Sequence, residues 1–136
     1  MSGAAARGSR GGCGTTVSVR AALNYRQQQV YGASGAGLIV ILLEEGRRRI
    51  LAATRALERR DFNGVNDHLI RAQDIMWELR GALNPDAGEI AENLRRLYDF
   101  VIAGLVEANV KKSGERLPVL AEILETLASG WREVMS

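Results

Sequence analysis

Few residues of this chain have the types and spacing that a catalytic or metal site would need. The acidic pairs Glu44–Glu45 and Glu89/Glu92 could support acid–base chemistry, but no nucleophile or partner base accompanies either pair. His68 is the single histidine, so the sequence lacks both the Glu-x-x-His pairs of di-iron bundles and the C-x-x-C-H signature of attached haem. We therefore expect these carboxylates to lie on helix surfaces, and we predict no cofactor, no metal and no enzymatic activity.

The other reactive or charged groups also favour a structural interpretation. Cys13 is the only cysteine, which excludes an intrachain disulfide. The formal charge of +2 comes from the first twenty residues, where Arg7, Arg10 and Arg20 are the only charged side chains. Removing these three from the 18 basic residues leaves 15 against 16 acidic ones, so the remaining chain is nearly neutral. Binding of nucleic acid requires a basic patch on the folded domain, and the nearly neutral body does not indicate one. We therefore predict no nucleic-acid partner.

The elements that would position these groups are helices, because apolar residues recur at steps of three and four in four stretches. Four amphipathic helices of about 20 residues with short connections predict an all-α fold, an antiparallel up-down four-helix bundle. Trp77 and Trp131 are interpreted as packing groups. The predicted core stripes are Ile39, Leu42, Gly46, Ile50, Ala53 and Leu57; Leu69, Ala72, Met76, Leu79 and Leu83; Ile90, Leu94, Leu97, Val101, Leu105 and Ala108; and Leu117, Leu120, Leu124, Leu127, Trp131 and Val134.

Turn residues predict where the helices begin and end. Ser34 is a plausible first N-cap, the residue before Pro85 is pushed out of the helical region, and Gly114 suits a left-handed C-terminal cap. The predicted helices cover about 34–60, 65–83, 87–111 and 115–135. Residues 1–19 are glycine-rich and are expected to be a disordered tail, residues 20–33 a mobile helical cap segment with a glycine hinge, and residues 34–136 the bundle.

The hydropathy pattern gives no sign of a membrane segment. The longest apolar run, residues 38–43, is far shorter than the roughly 20 residues that span a bilayer. The first residues also lack the apolar region of a secretory signal. We therefore predict a cytoplasmic protein without membrane insertion.

Several different short motifs follow one another in a defined order along most of the chain. They are Tyr25-Arg-Gln-Gln-Gln-Val30, Leu69-Ile-Arg-Ala-Gln-Asp-Ile-Met-Trp-Glu-Leu79, Gly88-Glu-Ile-Ala-Glu-Asn-Leu94, Leu97-Tyr-Asp99, Leu105-Val-Glu-Ala-Asn109 and Trp131. In these motifs the chain resembles the flagellin-specific export chaperone family, FliS, over about residues 25–135. It departs from the family at Gly35, where proline is usual, and at residues 43–45, where a Tyr-Asp-Gly-like triplet is usual.

The resemblance implies a chaperone that binds the C-terminal segment of flagellin, prevents premature polymerisation and delivers the subunit to a component of the export gate. It also implies that the N-terminal segment caps or adjusts the binding surface. The expected partner contacts are Tyr25, Val30, Leu38, Ile41, Leu43, Gln73, Ile75, Leu83, Tyr98 and Ile102. For each of them the alternative is a purely structural role in the bundle, and Ile41, Leu43 and Ile102 are favoured as contacts because they fall off the main stripes. The alternative is a dimeric helical scaffold or regulatory protein with a different partner, and a homodimer is left open in either case.

Overall fold

Four helices make up the body of the protein, as the computed structural model shows. The structure describes residues 30–31 and 35–135, and none of these residues lies in a β-strand. The predicted tail, residues 1–19, and Tyr25 lie outside the described residues. The helices are α1 (Ala36–Glu58), α2 (Phe62–Gly81), α3 (Glu89–Lys111) and α4 (Leu117–Met135), with a 3-10 turn at Pro85–Ala87 before α3. The predicted all-α four-helix bundle is confirmed.

Polar contacts between helices fix their antiparallel directions. Asn66 and Arg80 of α2 reach Asn109 and Asp99 of α3, so the two helices run in opposite senses. The same reasoning applies to α1 and α4, where Arg132 binds Glu44 while Glu125 lies near Arg47. Around the bundle the order is α3, α2, α1, α4, and α3 and α4 pack against each other much more loosely than the other neighbouring pairs.

The helix termini differ in detail from the sequence-based boundaries. Gly35, and not Ser34, is the N-cap of α1, and it supplies no side-chain hydrogen bond. The Asp61 side chain caps α2 by accepting a hydrogen bond of 3.0 Å from the Gly64 amide, so α2 begins earlier than predicted. At the end of α3 the left-handed position is taken by Lys112 with φ 49°, and not by Gly114. Gly114 instead leaves room for the Leu57 side chain, which lies 3.1 Å from where a Cβ would stand.

The core follows the predicted stripes closely, with an exception at the start of α3. The fully buried side chains include Leu69, Met76, Leu79, Leu105, Leu117, Leu120 and Leu124. Ile90, predicted to be buried, is 38% exposed, because it lies in the first turn of α3, where Ala91 faces the core instead. Trp77 is 53% exposed, so its interpretation as a packing group is wrong. Trp131 packs, half-buried, against the core.

A close contact between α3 and α4 is made possible by a glycine. A Cβ placed on Gly104 would lie 2.8 Å from Leu120 Cδ1, closer than carbon atoms pack in proteins. Leu120 is fully buried and has little room to yield. Gly104 therefore sets the distance between the two helices at this level.

Replacing Gly104 with alanine should lower the free energy of unfolding by about 1–2 kcal/mol, because overpacking outweighs the gain in helix propensity. Gly130→Ala in α4 is the matched control, since nothing lies within 4 Å of its Cβ position. That change should stabilise the protein by about 0.5–1 kcal/mol. Urea unfolding followed by circular dichroism measures both, and equal stabilisation by the two substitutions would contradict the tight contact.

Candidate functional site

The structure distributes the expected partner contacts over the core and several separate surfaces. Five of them are buried: Val30 (2% exposed), Leu43 (0%), Ile75 (8%), Tyr98 (0%) and Ile102 (7%). Leu38 and Ile41 are 51% and 61% exposed at the start of α1, whereas Gln73 and Leu83 are half-buried. Tyr25 lies outside the described residues. The nine of these side chains that the structure describes do not form one site.

Two of the three favoured contacts, Leu43 and Ile102, are buried because neighbouring helices pack over them. Leu43 fell off the α1 stripe, but α1 is the helix that packs on both α2 and α4, and it therefore buries a wider face than one stripe. Ile102 is covered at the boundary of α3 with α2, one turn after Asp99. Only Ile41 among the three remains open to a partner, and its role stays a prediction.

An open apolar groove lies on the loosely packed side of the bundle, between α3 and α4. It has a volume of about 280 Å³ and is lined by Leu97, Val119, Glu122, Ile123, Thr126 and Leu127. Val119 is 53% exposed, and Leu97, Ile123 and Leu127 are half-buried. Phe100, one turn after Leu97 and 48% exposed, extends the apolar surface along α3. We take this groove as the candidate functional site.

Tyr31 contacts both α3 and α4 at a distance from the Gly104 contact. Its ring is 3% exposed and meets Trp131 of α4 edge to face, with 5.5 Å between the ring centroids. Its hydroxyl group is hydrogen-bonded to the buried hydroxyl of Tyr98 on α3. A residue that contacts both helices at one end of their boundary acts as a wedge between them.

The backbone next to Tyr31 is also tied to the bundle. The Val30 carbonyl accepts a hydrogen bond of 2.5 Å from the Asn84 amide, in the connection between α2 and α3. Burial raises the pKa of Tyr98 to about 12, and burial together with the neighbouring Tyr98 raises that of Tyr31. Both phenols are thus neutral at physiological pH, and the pair is a hydrogen bond without charge.

The residues that line the groove were missed as contacts because sequence analysis sought one stripe in each helix. A signal was present in α4, which carries Val119 and Ile123 beside the buried row of Leu117, Leu120 and Leu124. A helix with a second apolar row must either bury it against another element or leave it for a partner. Here α3 packs too loosely against α4 to cover it fully.

Many charged side chains of the described residues form ion pairs on the helix surfaces, and they do not cluster into a reactive site. Hydrogen bonds from Arg48 lower the pKa of Glu45, and those from Arg95 lower the pKa of Glu92. His68 is half-buried, with Nδ1 3.2 Å from Arg49 Nη1. No group of three or more His, Cys, Asp or Glu within residues 30–31 and 35–135 could hold a metal ion. No helix in the described part of the chain is long and apolar enough to cross a membrane.

Comparison with known proteins gives a consistent result over most of the chain. A family model described as flagellar protein FliS matches residues 18–136. The flagellar secretion chaperone FliSB of Pseudomonas aeruginosa is 36% identical over 106 residues, which cover 77% of this chain and 84% of that protein.

Flagellar secretion chaperones FliS from two other bacteria are similar to this chain over nearly the same share of its length. The protein of Vibrio cholerae is 29% identical over 107 residues, covering 78% of this chain and 79% of its own length. That of Bacillus subtilis is 28% identical over 111 residues, covering 82% and 83% respectively.

Proposed function

Because this chain belongs to the FliS family of flagellar proteins, we propose that its groove between α3 and α4 binds the C-terminal segment of flagellin. The chain is a flagellar export chaperone of that family and not an enzyme. A chaperone of this kind needs a surface that accepts part of a flagellar protein. The single observation that supports our choice of surface is the open apolar groove with Val119, Ile123 and Leu127 on one wall.

The shape and chemistry of the groove suit an amphipathic helix. Val119 to Leu127 spans eight steps of 1.5 Å, or about 12 Å, which is a little over two helical turns. A partner helix with apolar residues at i, i+3, i+4 and i+7 would cover that length. Glu122 and Thr126 provide polar groups among the apolar ones. A polymerisation segment that is disordered alone would become helical as it fills the groove.

The consequence of such binding is that the polymerising surface of flagellin is covered in the cytoplasm until the subunit is passed to a component of the export gate. Capture of this kind is an equilibrium between free and bound segment and requires no chemical step. Most of the binding free energy would come from apolar burial, so the affinity should fall only weakly between low and physiological salt concentration. Ile41 and Leu38, exposed at the start of α1, are candidates for a second contact with a longer segment.

Calorimetric titration with the C-terminal ~40 residues of the host's flagellin, a length that such a bundle can wrap, tests the proposal. The double substitution Val119→Asp/Ile123→Asp should weaken binding about a hundredfold, because two carboxylates would be buried against the apolar stripe. Val110→Asp is the matched control, since Val110 is 78% exposed on α3, away from the groove. That control should bind like the unmodified protein, and circular dichroism should show all three to be folded.

Two results would contradict the proposal in different ways. If the unmodified protein shows no heat of binding at tens of micromolar peptide, the flagellin segment is not the partner. If it binds and the double substitution binds equally well, the segment uses another surface. Equal losses in the control and the double variant would also exclude the groove.

A further inference from the structure

A second apolar surface lies on the other side of α3, along its boundary with α2. Ile70 and Trp77 of α2 are 45% and 53% exposed, and Val106 of α3 is 42% exposed. Ile70 and Trp77 are seven residues apart and so lie on one face of α2. We call these three side chains, with the half-buried Gln73 and the covered Ile102 between them, the α2/α3 seam.

Two polar links hold the α2/α3 seam in a fixed register. Asn109 Nδ2 donates to Asn66 Oδ1 at 2.9 Å, and Arg80 Nε donates to Asp99 Oδ1 at 2.6 Å. Ile70 lies one turn after Asn66, and Val106 one turn before Asn109, so these two apolar side chains stand at the same level. The links bracket the apolar surface at its two ends, and Arg80 also lies over the Trp77 ring at 5.5 Å.

The charges beside the α2/α3 seam are unbalanced on its α2 side. Asp67, Asp74 and Glu78 are exposed, and no ion pair to any of them is found among the described residues. Arg71 is the one cation in the same row of α2 and is likewise exposed. On the α3 side, by contrast, the carboxylates form ion pairs: Asp99 with Arg80 and Arg95, and Glu107 with Lys111.

We propose that the α2/α3 seam binds an amphipathic helix of a second partner protein, whose apolar stripe is flanked by lysine or arginine. Ile70 and Trp77 offer the two-turn spacing that an apolar helix face requires. Asp67, Asp74 and Glu78 would face the basic flank of that helix. Their charge would favour a partner helix with a positive flank and would set its orientation on the surface. The groove of the proposed flagellin site lies on the opposite side of α3, so both surfaces can be occupied at once.

The probe for this proposal is a designed 18-residue peptide with leucines on one face and lysines on both flanks, compared with the same peptide carrying glutamates on the flanks. The full chain should bind the lysine peptide at least about tenfold more tightly, and Trp77 emission should shift to shorter wavelength as the indole is covered. The Trp77→Phe variant should show no such shift, although Trp131 still contributes to its emission.

Charge substitutions on exposed positions give the matched comparison. Asp74→Lys/Glu78→Lys should weaken binding of the lysine peptide by about tenfold, whereas Arg71→Glu should strengthen it. Glu58→Lys/Glu115→Lys makes the same change of charge at exposed positions away from both the α2/α3 seam and the groove, and it should leave the affinity unchanged. The Val119→Asp/Ile123→Asp variant should also bind the lysine peptide unchanged.

Several results would overturn the proposal. Equal affinity for the two peptides, or no effect of Asp74→Lys/Glu78→Lys, would exclude charge-selected binding at this surface. A Trp77 already shielded from the quencher iodide in the free protein would mean that another segment of this chain or a second copy covers it, and sedimentation would separate those two cases. Loss of lysine-peptide binding in the Val119→Asp/Ile123→Asp variant would place the peptide in the other groove.

Discussion

Truncating Leu124 or Leu79 to alanine should lower the free energy of unfolding by about 2–5 kcal/mol, one of the largest effects open to a single substitution in this protein. Both side chains are fully buried. Leu124 of α4 reaches across to α1 beside Gly46, and its Cδ1 stands 3.1 Å from where a Cβ on that glycine would lie. Removing three heavy atoms there leaves a cavity that the rigid glycine contact cannot refill.

Urea unfolding followed by circular dichroism measures the free energies of unfolding of Leu79→Ala, Leu124→Ala and a control variant, and so tests this expectation. Leu38→Ala is the control, because Leu38 is 51% exposed and its truncation leaves no cavity. It should cost less than about half a kcal/mol. Losses that small for both Leu79→Ala and Leu124→Ala would mean that the stripes of α2 and α4 are not the core.

Replacing Tyr31 with alanine should cost about 3–5 kcal/mol, as for other large buried aromatic side chains. The substitution removes the ring that separates Tyr98 from Trp131 and leaves the Tyr98 hydroxyl group without its partner in the core. Since the wedge is lost, α3 and α4 should close together, and the affinity for the flagellin segment should fall even in conditions where the variant is folded.

Tyr31→Phe separates the role of the ring from that of the hydroxyl group. It keeps the edge-to-face contact with Trp131 but leaves the buried Tyr98 hydroxyl group without its partner, so it should cost about 1–3 kcal/mol and retain the affinity for the flagellin segment. Thermal unfolding and the same calorimetric titration measure both variants. A Tyr31→Ala protein as stable as Tyr31→Phe, with unchanged affinity, would show that Tyr31 does not hold the groove open.

The helices and most of their buried faces could be predicted from the sequence because both depend on neighbours in the chain. The steps of three and four residues that placed Leu69, Leu105 and Leu124 in the core are a property of one helix at a time. Capping was less predictable, since Lys112 adopts the left-handed conformation in place of Gly114, which the Leu57 side chain needs as free space. Nothing local to residue 114 reveals a contact with residue 57.

The candidate groove depends on distances between helices, which periodicity does not contain. Leu43 and Ile102 fell off their stripes and were expected at the surface, yet a second neighbouring helix covers each of them. Val119 and Ile123 are of the same residue types and stay accessible because α3 stands away from α4. Apolar residues beside the main stripe show the same sequence pattern whether they are buried or line a groove. Only the spacing between the helices distinguishes the two cases.

The position of Tyr31 in the chain also constrains the order in which the protein can assemble. Its hydroxyl partner Tyr98 follows it by 67 residues, and its ring partner Trp131 lies further on still. During synthesis this tyrosine leaves the ribosome long before either partner exists, so it can dock only when α3 and almost all of α4 have formed. The groove should therefore take its final width in the last stage of folding, and the nascent chain should present no fully shaped groove to a partner until its own translation is nearly finished.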